Sequence, residues 1–293
     1  MKQMKKPTLI KIGSVCLLFS LIFSTPLLFG IKLTKATKAS LIWGTTDNMT
    51  EAEITASSGA CGAINAYFDY NADYDLLGNY YGSETQQSTT LGNVSLVEDD
   101  YDYGTVFYKG HTFFATLHGH KHDFLYDDDG GSSTDRIYDF GVGYRTSNGE
   151  HDFVFIWSCN TADYIGDVSG SPPHTWGFAA SWMGTESLNE NGYEETSDYG
   201  PNAYIGFQNV SKPMVESTGY NGWSYRYWAT YFYLYLLRDG MDIKEALDAA
   251  SEITIGSEFG DTDLYTGYEV YEYGEWWDSK MGVYGNGDIT LPT

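Results

Sequence analysis

Residues 152–160 read Asp-Phe-Val-Phe-Ile-Trp-Ser-Cys-Asn, and residues 104–111 read Gly-Thr-Val-Phe-Tyr-Lys-Gly-His. In the first stretch Phe153, Val154, Phe155, Ile156 and Trp157 follow one another without a polar break, and in the second Val106, Phe107 and Tyr108 do the same. A strand with one wet face alternates apolar and polar residues; a strand covered on both faces does not. Both runs are therefore predicted as buried parallel strands. Ala203 to Phe207 (AYIGF) is a third, and Met281 to Tyr284 with Asp288 to Leu291, around the Gly285-Asn-Gly287 turn, predicts a last strand. Leu76 to Tyr81 is predicted as a short strand, and Thr90 to Val97 fits no single template.

Helical patterns lie between these runs. Ile64, Tyr67 and Phe68 form a stripe within 60–72, and Trp228, Phe232, Tyr235 and Leu236 another within 225–238, stopped by Gly240. Asp242 and Glu245 have the spacing of a capping box, opening a helix that buries Ala246, Leu247 and Ala250. Buried strands interleaved with helices predict an α/β fold with a mainly parallel sheet flanked by helices. Residues 60–293 are read as one such domain and residues 40–59 as a loose polar segment.

The chain has 293 residues, 16 Lys+Arg and 40 Asp+Glu, a net charge of -24. Seven of the lysines and no acid fall in residues 1–39, so 9 basic and 40 acidic residues remain beyond them. Such a surface excludes general nucleic-acid binding, which needs clustered Lys and Arg, and argues against docking on anionic lipid. Lys2, Lys5 and Lys6 precede a mostly apolar stretch over residues 9–31. This is the pattern of a signal peptide or an N-terminal membrane anchor over 1–39, and it predicts a secreted protein, or one tethered through residues 9–31. Asn48, Asn93 and Asn209 each begin an N-glycosylation triplet.

In parallel α/β sheets ligands bind beyond the carboxyl ends of the strands. One predicted strand ends in Gly110-His111 and the next strong one in Ser158-Cys159. A thiolate is a nucleophile and an adjacent imidazole can take its proton, so the pair predicts a nucleophile and a base if the two strands are neighbours. Gly110, Thr112, Ser158 and Asn160 would then border the cleft. Beyond Cys16 only Cys61 and Cys159 remain, and in an exported chain they have a second reading as a Cys61–Cys159 disulfide, with the domain a non-catalytic surface or binding module.

On these residues the chain resembles the caspase–gingipain–legumain clan of cysteine peptidases, with its caspase-hemoglobinase fold. GTVFYKGH and FVFIWSC play the His-bearing and Cys-bearing strands, 48 residues separating His111 from Cys159. The turn at 126–130, the AYIGF strand and MGVYGNGDITL resemble further parts of the clan's pattern. The resemblance implies peptide-bond hydrolysis by a Cys159–His111 dyad, a peptide or protein substrate and no cofactor. In the clan the His is usually followed by Gly, whose amide helps hold the oxyanion; here Thr112 follows His111, and the literal His-Gly pair is His118-Gly119. His118 is therefore an alternative base.

Two metal readings stand beside this one. His118, His120 and His122 share one face of an extended segment, which suits zinc and a zinc-dependent hydrolase. Asp69, Asn71, Asp73 and Asp75 have the spacing of a calcium loop, but Tyr80 stands at its twelfth position in place of Glu. Trp276-Trp277 and the Tyr-rich 265–273 stretch have the composition of a binding rim, with packing as the plainer reading.

Overall fold

The computed structural model describes residues 38–46, 48–70, 74–82, 85–117, 120–126, 136–146, 151–162, 177–183, 202–272 and 274–293. In chain order the elements are β1 (Lys38–Gly44), α1 (Glu51–Asp69), β2 (Tyr74–Tyr81), α2 (Gln87–Asp100), β3 (Tyr103–Lys109), β4 (Thr112–Leu117), β5 (His120–Tyr126), β6 (Arg136–Tyr138), α3 (Asp139–Gly143) and β7 (His151–Trp157). There follow α4 (Gly177–Met183), β8 (Ala203–Gln208), α5 (Tyr225–Leu234) with a π-helical turn over Tyr235–Asp239, α6 (Ile243–Thr254), α7 (Asp263–Thr266), β9 (Tyr268–Glu272) and β10 (Glu275–Gly285).

Seven strands form one sheet in the order β2-β1-β3-β7-β8-β10-β9. The first five are mutually parallel; β10 runs antiparallel to β8, and β9 antiparallel to β10. The expected α/β fold with a mainly parallel, helix-flanked sheet is what forms. A separate antiparallel sheet, β4-β5-β6, carries the chain away from the carboxyl end of β3.

The unbroken apolar runs have the cause anticipated for them. Odd residues Phe107, Phe153, Phe155, Trp157 and Ile205 face one layer, where α1, α5 and α6 supply Ile64, Phe68, Trp228, Phe232 and Leu247. Even residues Val106, Tyr108, Val154, Ile156 and Tyr204 face the other, built from α2, α3 and α4 with Leu125 and Ile137 of the small sheet. Alternation disappears because both faces are covered. The first layer is strongly aromatic: the Trp157 ring lies 5.7 Å from Trp228, which stacks on Phe232 at 5.7 Å. Gly240 closes the α5 region at φ 66°, in the left-handed region glycine tolerates, and the Asp242/Glu245 capping box forms in both directions.

Two expectations are corrected. Residues 40–59 are not loose and the α/β unit does not wait for residue 60: β1 is buried along its whole length, pairing with β2 and β3, and α1 starts at Glu51. The short Leu41-Ile42-Trp43 run suffices because it is central in the sheet, with Leu41 and Trp43 fully buried on one face and Ile42 on the other. Thr50 caps α1, accepting the Glu53 amide at 3.2 Å. Thr90–Val97 is helical, within α2, where Thr90, Leu91, Val94 and Val97 are buried. The leader and its apolar stretch at 9–31, and the turn at 127–130, lie outside the described residues. Among the described residues no helix is long and apolar enough to cross a membrane.

Candidate functional site

The order of the first strands fixes where a site can form. From β1 the chain passes to β2 on one side, then returns across β1 to β3 and continues outward to β7 and β8. The direction reverses between β1 and β3, and such a switch point opens a crevice at the strands' carboxyl ends. A cleft of about 710 Å³ lies there. Side chains from the segments 48–53 after β1 and 210–215 after β8, all of 109–114 after β3, and Cys159 and Asn160 after β7 line it, and Glu272 and Trp277 of the β9–β10 hairpin complete its rim. A smaller depression of about 400 Å³ beside Gln208, Tyr268 and Lys280 has neither a cysteine nor a histidine among its lining residues.

His111 and Cys159 both line the larger cleft. They arrive there by register: Lys109 pairs with Trp157 in the parallel β3–β7 ladder, and each of the two residues follows two positions later. Their neighbours lock the two strand ends together. The buried Ser158 hydroxyl donates to the Gly110 carbonyl at 2.8 Å and accepts from the Thr112 hydroxyl at 2.6 Å. His111 is thus held from the residue before it and the residue after it. The Tyr108 hydroxyl adds a bond to the His111 carbonyl at 3.2 Å, and the imidazole lies 6.2 Å from the Phe113 ring, centroid to centroid. Gly110 has no room for a side chain: a Cβ there would meet the Tyr108 hydroxyl and the Thr45 hydroxyl oxygen, the latter at 2.6 Å.

Cys159 is half-buried. Its sulfur accepts the Ser211 amide at 3.3 Å and lies 3.6 Å from the Ser211 hydroxyl oxygen. Asn160 takes φ 56°, a left-handed turn Asn accepts more readily than most residues, and its amide bonds the Asn209 carbonyl at 2.6 Å. Beyond the turn, Thr161 binds the Ile156 and Ser158 carbonyls and receives the Phe207 amide. The loop after β8 is tied down in turn, by the Trp157 indole on the Lys212 carbonyl at 2.7 Å and by the Tyr268 hydroxyl on the Val210 carbonyl at 2.6 Å.

One charged pair lies against the cleft. Glu53 meets Lys109 at 3.1 Å, and its two oxygens also accept the Met214 and Val215 amides, each at 2.9 Å. Burial pushes this carboxyl up, but the Lys109 ammonium and the two amides outweigh it, so Glu53 ionises below its ordinary value. A single carboxylate therefore links α1, β3 and the post-β8 loop.

The remaining sequence candidates are placed as follows. The Cys61–Cys159 bridge is absent, and both thiols are free. Cys61 faces the core from α1, where burial pushes its thiol up to about 12 against the pull of Lys109, whereas Cys159 is at the cleft. The zinc reading is not supported. His118 and the His120 side chain lie outside the described residues, and His122 turns inward, Nδ1 3.2 Å from the fully buried Asp139 carboxylate. Among the described residues no group of three metal-ligating side chains forms. The calcium spacing is split between the end of α1 and β2, with Asp75 accepting the Tyr101 hydroxyl at 2.7 Å; residues 71–73 lie outside the described residues. The side-chain nitrogens of Asn93 and Asn209 donate to the Leu77 and Asp278 carbonyls. Trp276 and Tyr271 are exposed and lie 5.3 Å apart, so this pair is surface and not core, and it is Trp277 and Glu272 that line the cleft.

Sequence reading missed Glu53, Lys109 and Ser211. Thr50-x-x-Glu53 is a helix-start signature that marks the first of these. Ser211 was findable because it follows a strand already recognised as buried and parallel.

No protein-family model matches the chain, and no curated protein matches it. Among solved structures the chain is similar to the crystal structure of the Drosophila initiator caspase Dronc, with 8% identity, a TM-score of 0.43, and coverage of 88% of this chain and 82% of that one.

Proposed function

We propose that the protein is a cysteine hydrolase of peptide bonds, with Cys159 the nucleophile and His111 the general base. The observation that carries the reading is the convergence of these two residues on one cleft from adjacent parallel strand ends. The Cys159 sulfur attacks the peptide carbonyl as its proton passes to His111. A tetrahedral oxyanion forms, for which the Cys159 and Thr112 backbone amides are the donors. The antiparallel alternation supports Thr112 in this role: the Tyr126 amide bonds the His111 carbonyl, so at the next pair, Thr112–Leu125, the strand amides point away from one another. His111 then protonates the leaving amine, and water, deprotonated by His111, hydrolyses the thioester and restores the thiol.

Turnover of a peptide library by the purified chain and its Cys159→Ala, His111→Ala and His118→Ala variants tests this. The expected result is a loss of several orders of magnitude in the first two and a mild effect in the third. Activity that survives Cys159→Ala, or that His118→Ala abolishes while His111→Ala spares it, overturns the assignment. Export is part of the proposal, supported by the basic start and apolar run of residues 1–39. Fractionation and amino-terminal sequencing of the expressed protein distinguish a cleaved leader, a retained anchor and a cytosolic chain.

A further inference from the structure

Resting on that reading of the site, we infer that the substrate is a peptide presenting a large uncharged apolar side chain, of the Leu, Met or Phe class, beside the scissile bond. The walls around the nucleophile are Met49, Phe113, Phe114, Val210, Val215 and Trp277. Phe114 is 61% exposed and Val215 45% exposed. Large apolar groups left in water around one concavity mark a surface that a partner covers.

The charged groups give the same answer by elimination. An acidic substrate side chain needs a cation. Among the described residues that line the cleft the lysine is Lys109, itself buried with its ammonium 3.1 Å from Glu53, while Lys121, outside the lining, holds its ammonium 4.7 Å from the Phe114 ring. A basic side chain needs a carboxylate at depth. Glu53 accepts Lys109 and the Met214 and Val215 amides, so its oxygens are already engaged. Prising either partner from this pair leaves a buried charge uncompensated, which costs more than a new surface ion pair returns. Among the described residues that line the cleft, the other acid is Glu272 on the outer rim, in an exposed strand segment. The net charge of -24 adds general repulsion against acidic peptides.

Binding separates this inference from the catalytic one. Fluorescent peptides identical except for one central residue (Leu, Phe, Asp, Lys or Gly) are titrated into the full-length Cys159→Ala protein, which cannot turn them over. The Leu and Phe peptides are expected to bind about tenfold or more tighter than the Asp, Lys and Gly peptides. The double variant Phe114→Ser/Val215→Ser alters exposed side chains, and thus leaves the fold intact, and is expected to erase most of that preference. Equal binding of all five peptides, tighter binding of a charged one, or no binding at all overturns the inference. If the wild-type protein cleaves peptides but favours Asp or Lys, the apolar preference fails while the hydrolase reading stands. If the apolar preference holds and Cys159 is neither alkylated nor needed for any turnover, the hydrolase reading fails alone.

Discussion

The hydroxyl of Thr112 donates to that of Ser158 across 2.6 Å, and the Ser158 hydroxyl in turn donates to the Gly110 carbonyl. This two-bond clasp joins the loop that carries His111 to the residue before Cys159, so the relative placement of the proposed base and nucleophile depends on one buried serine. Ser158→Ala leaves the Thr112 hydroxyl and the Gly110 carbonyl without that partner. The expected loss of stability is about 1–3 kcal/mol, read from denaturant unfolding. A fall in kcat larger than any change in KM is expected with it, since misplacement acts on the chemical step. Thr112→Val in the Ser158→Ala background should add little, because the bond it removes is already gone.

Gly110→Ala places a methyl group against the Tyr108 and Thr45 hydroxyls. The loop must shift, and His111 shifts with it. The variant is expected to fold with a lowered melting temperature and to lose activity. Tyr108→Phe removes the hydroxyl but leaves in the way the ring carbon that carried it, so the double variant should recover little of the loss. Full activity in Gly110→Ala alone would show that His111 does not need this backbone path.

Glu53→Gln removes the charge that faces Lys109. Breaking a buried pair from one side costs about 3–5 kcal/mol, and here it also loosens the post-β8 loop at Met214 and Val215. Chemical unfolding measures the first effect, and faster amide exchange at residues 214 and 215 the second. A change within about 0.5 kcal/mol, the ordinary range for surface sites, contradicts this role.

The same carboxylate gives a pH dependence. Its folded form ionises below its ordinary value of 4.5, so its contribution to stability is fully present above that value and is lost as pH falls through the lower, folded value. Unfolding free energy should therefore decline, as pH falls below the ordinary carboxyl value of 4.5, more steeply in the wild type than in Glu53→Gln. Parallel pH curves for the two proteins would remove Glu53 from the account.

The thiols should differ sharply. Cys61 is buried, its ionisation pushed up to about 12, while Cys159 lines the cleft. Iodoacetamide reacts with thiolates, so peptide mapping after native labelling should find Cys159 modified and Cys61 untouched, and both modified after denaturation. Native labelling of Cys61, or none at Cys159 without reductant, contradicts the free-thiol arrangement.

What the sequence disclosed follows from where each residue ends up. Phe153 to Trp157 and Val106 to Tyr108 announced themselves because burial on both faces removes alternation, and the polar residues closing each run marked the strand ends. β1 was hidden because Leu41-Ile42-Trp43 is only three residues long and follows the apolar leader. α1 was seen only from residue 60, since Gly59 and Gly62 dilute its pattern and Glu53 turns to Lys109. The small sheet stayed out of view because β4 buries little beyond Thr112, and its apolar Phe114 faces solvent. His122 read as a ligand because spacing along a strand does not reveal that Asp139, 17 residues on, packs against it. His111 and Cys159 were legible because strand-end position is a one-dimensional property; Glu53, Lys109 and Ser211 matter through contacts that only the folded chain makes.

The cleft draws its walls from five stretches spread between residues 48 and 277, and the two residues proposed to do chemistry come from the middle of that span. A chain emerging from the ribosome has Cys159 and His111 long before it has Trp277. A domain generally folds as a unit, and this concavity has no far rim until the β9–β10 hairpin has been translated and β10 has joined β8. The nascent polypeptide therefore carries the proposed nucleophile through the biosynthetic machinery without the finished concavity around it.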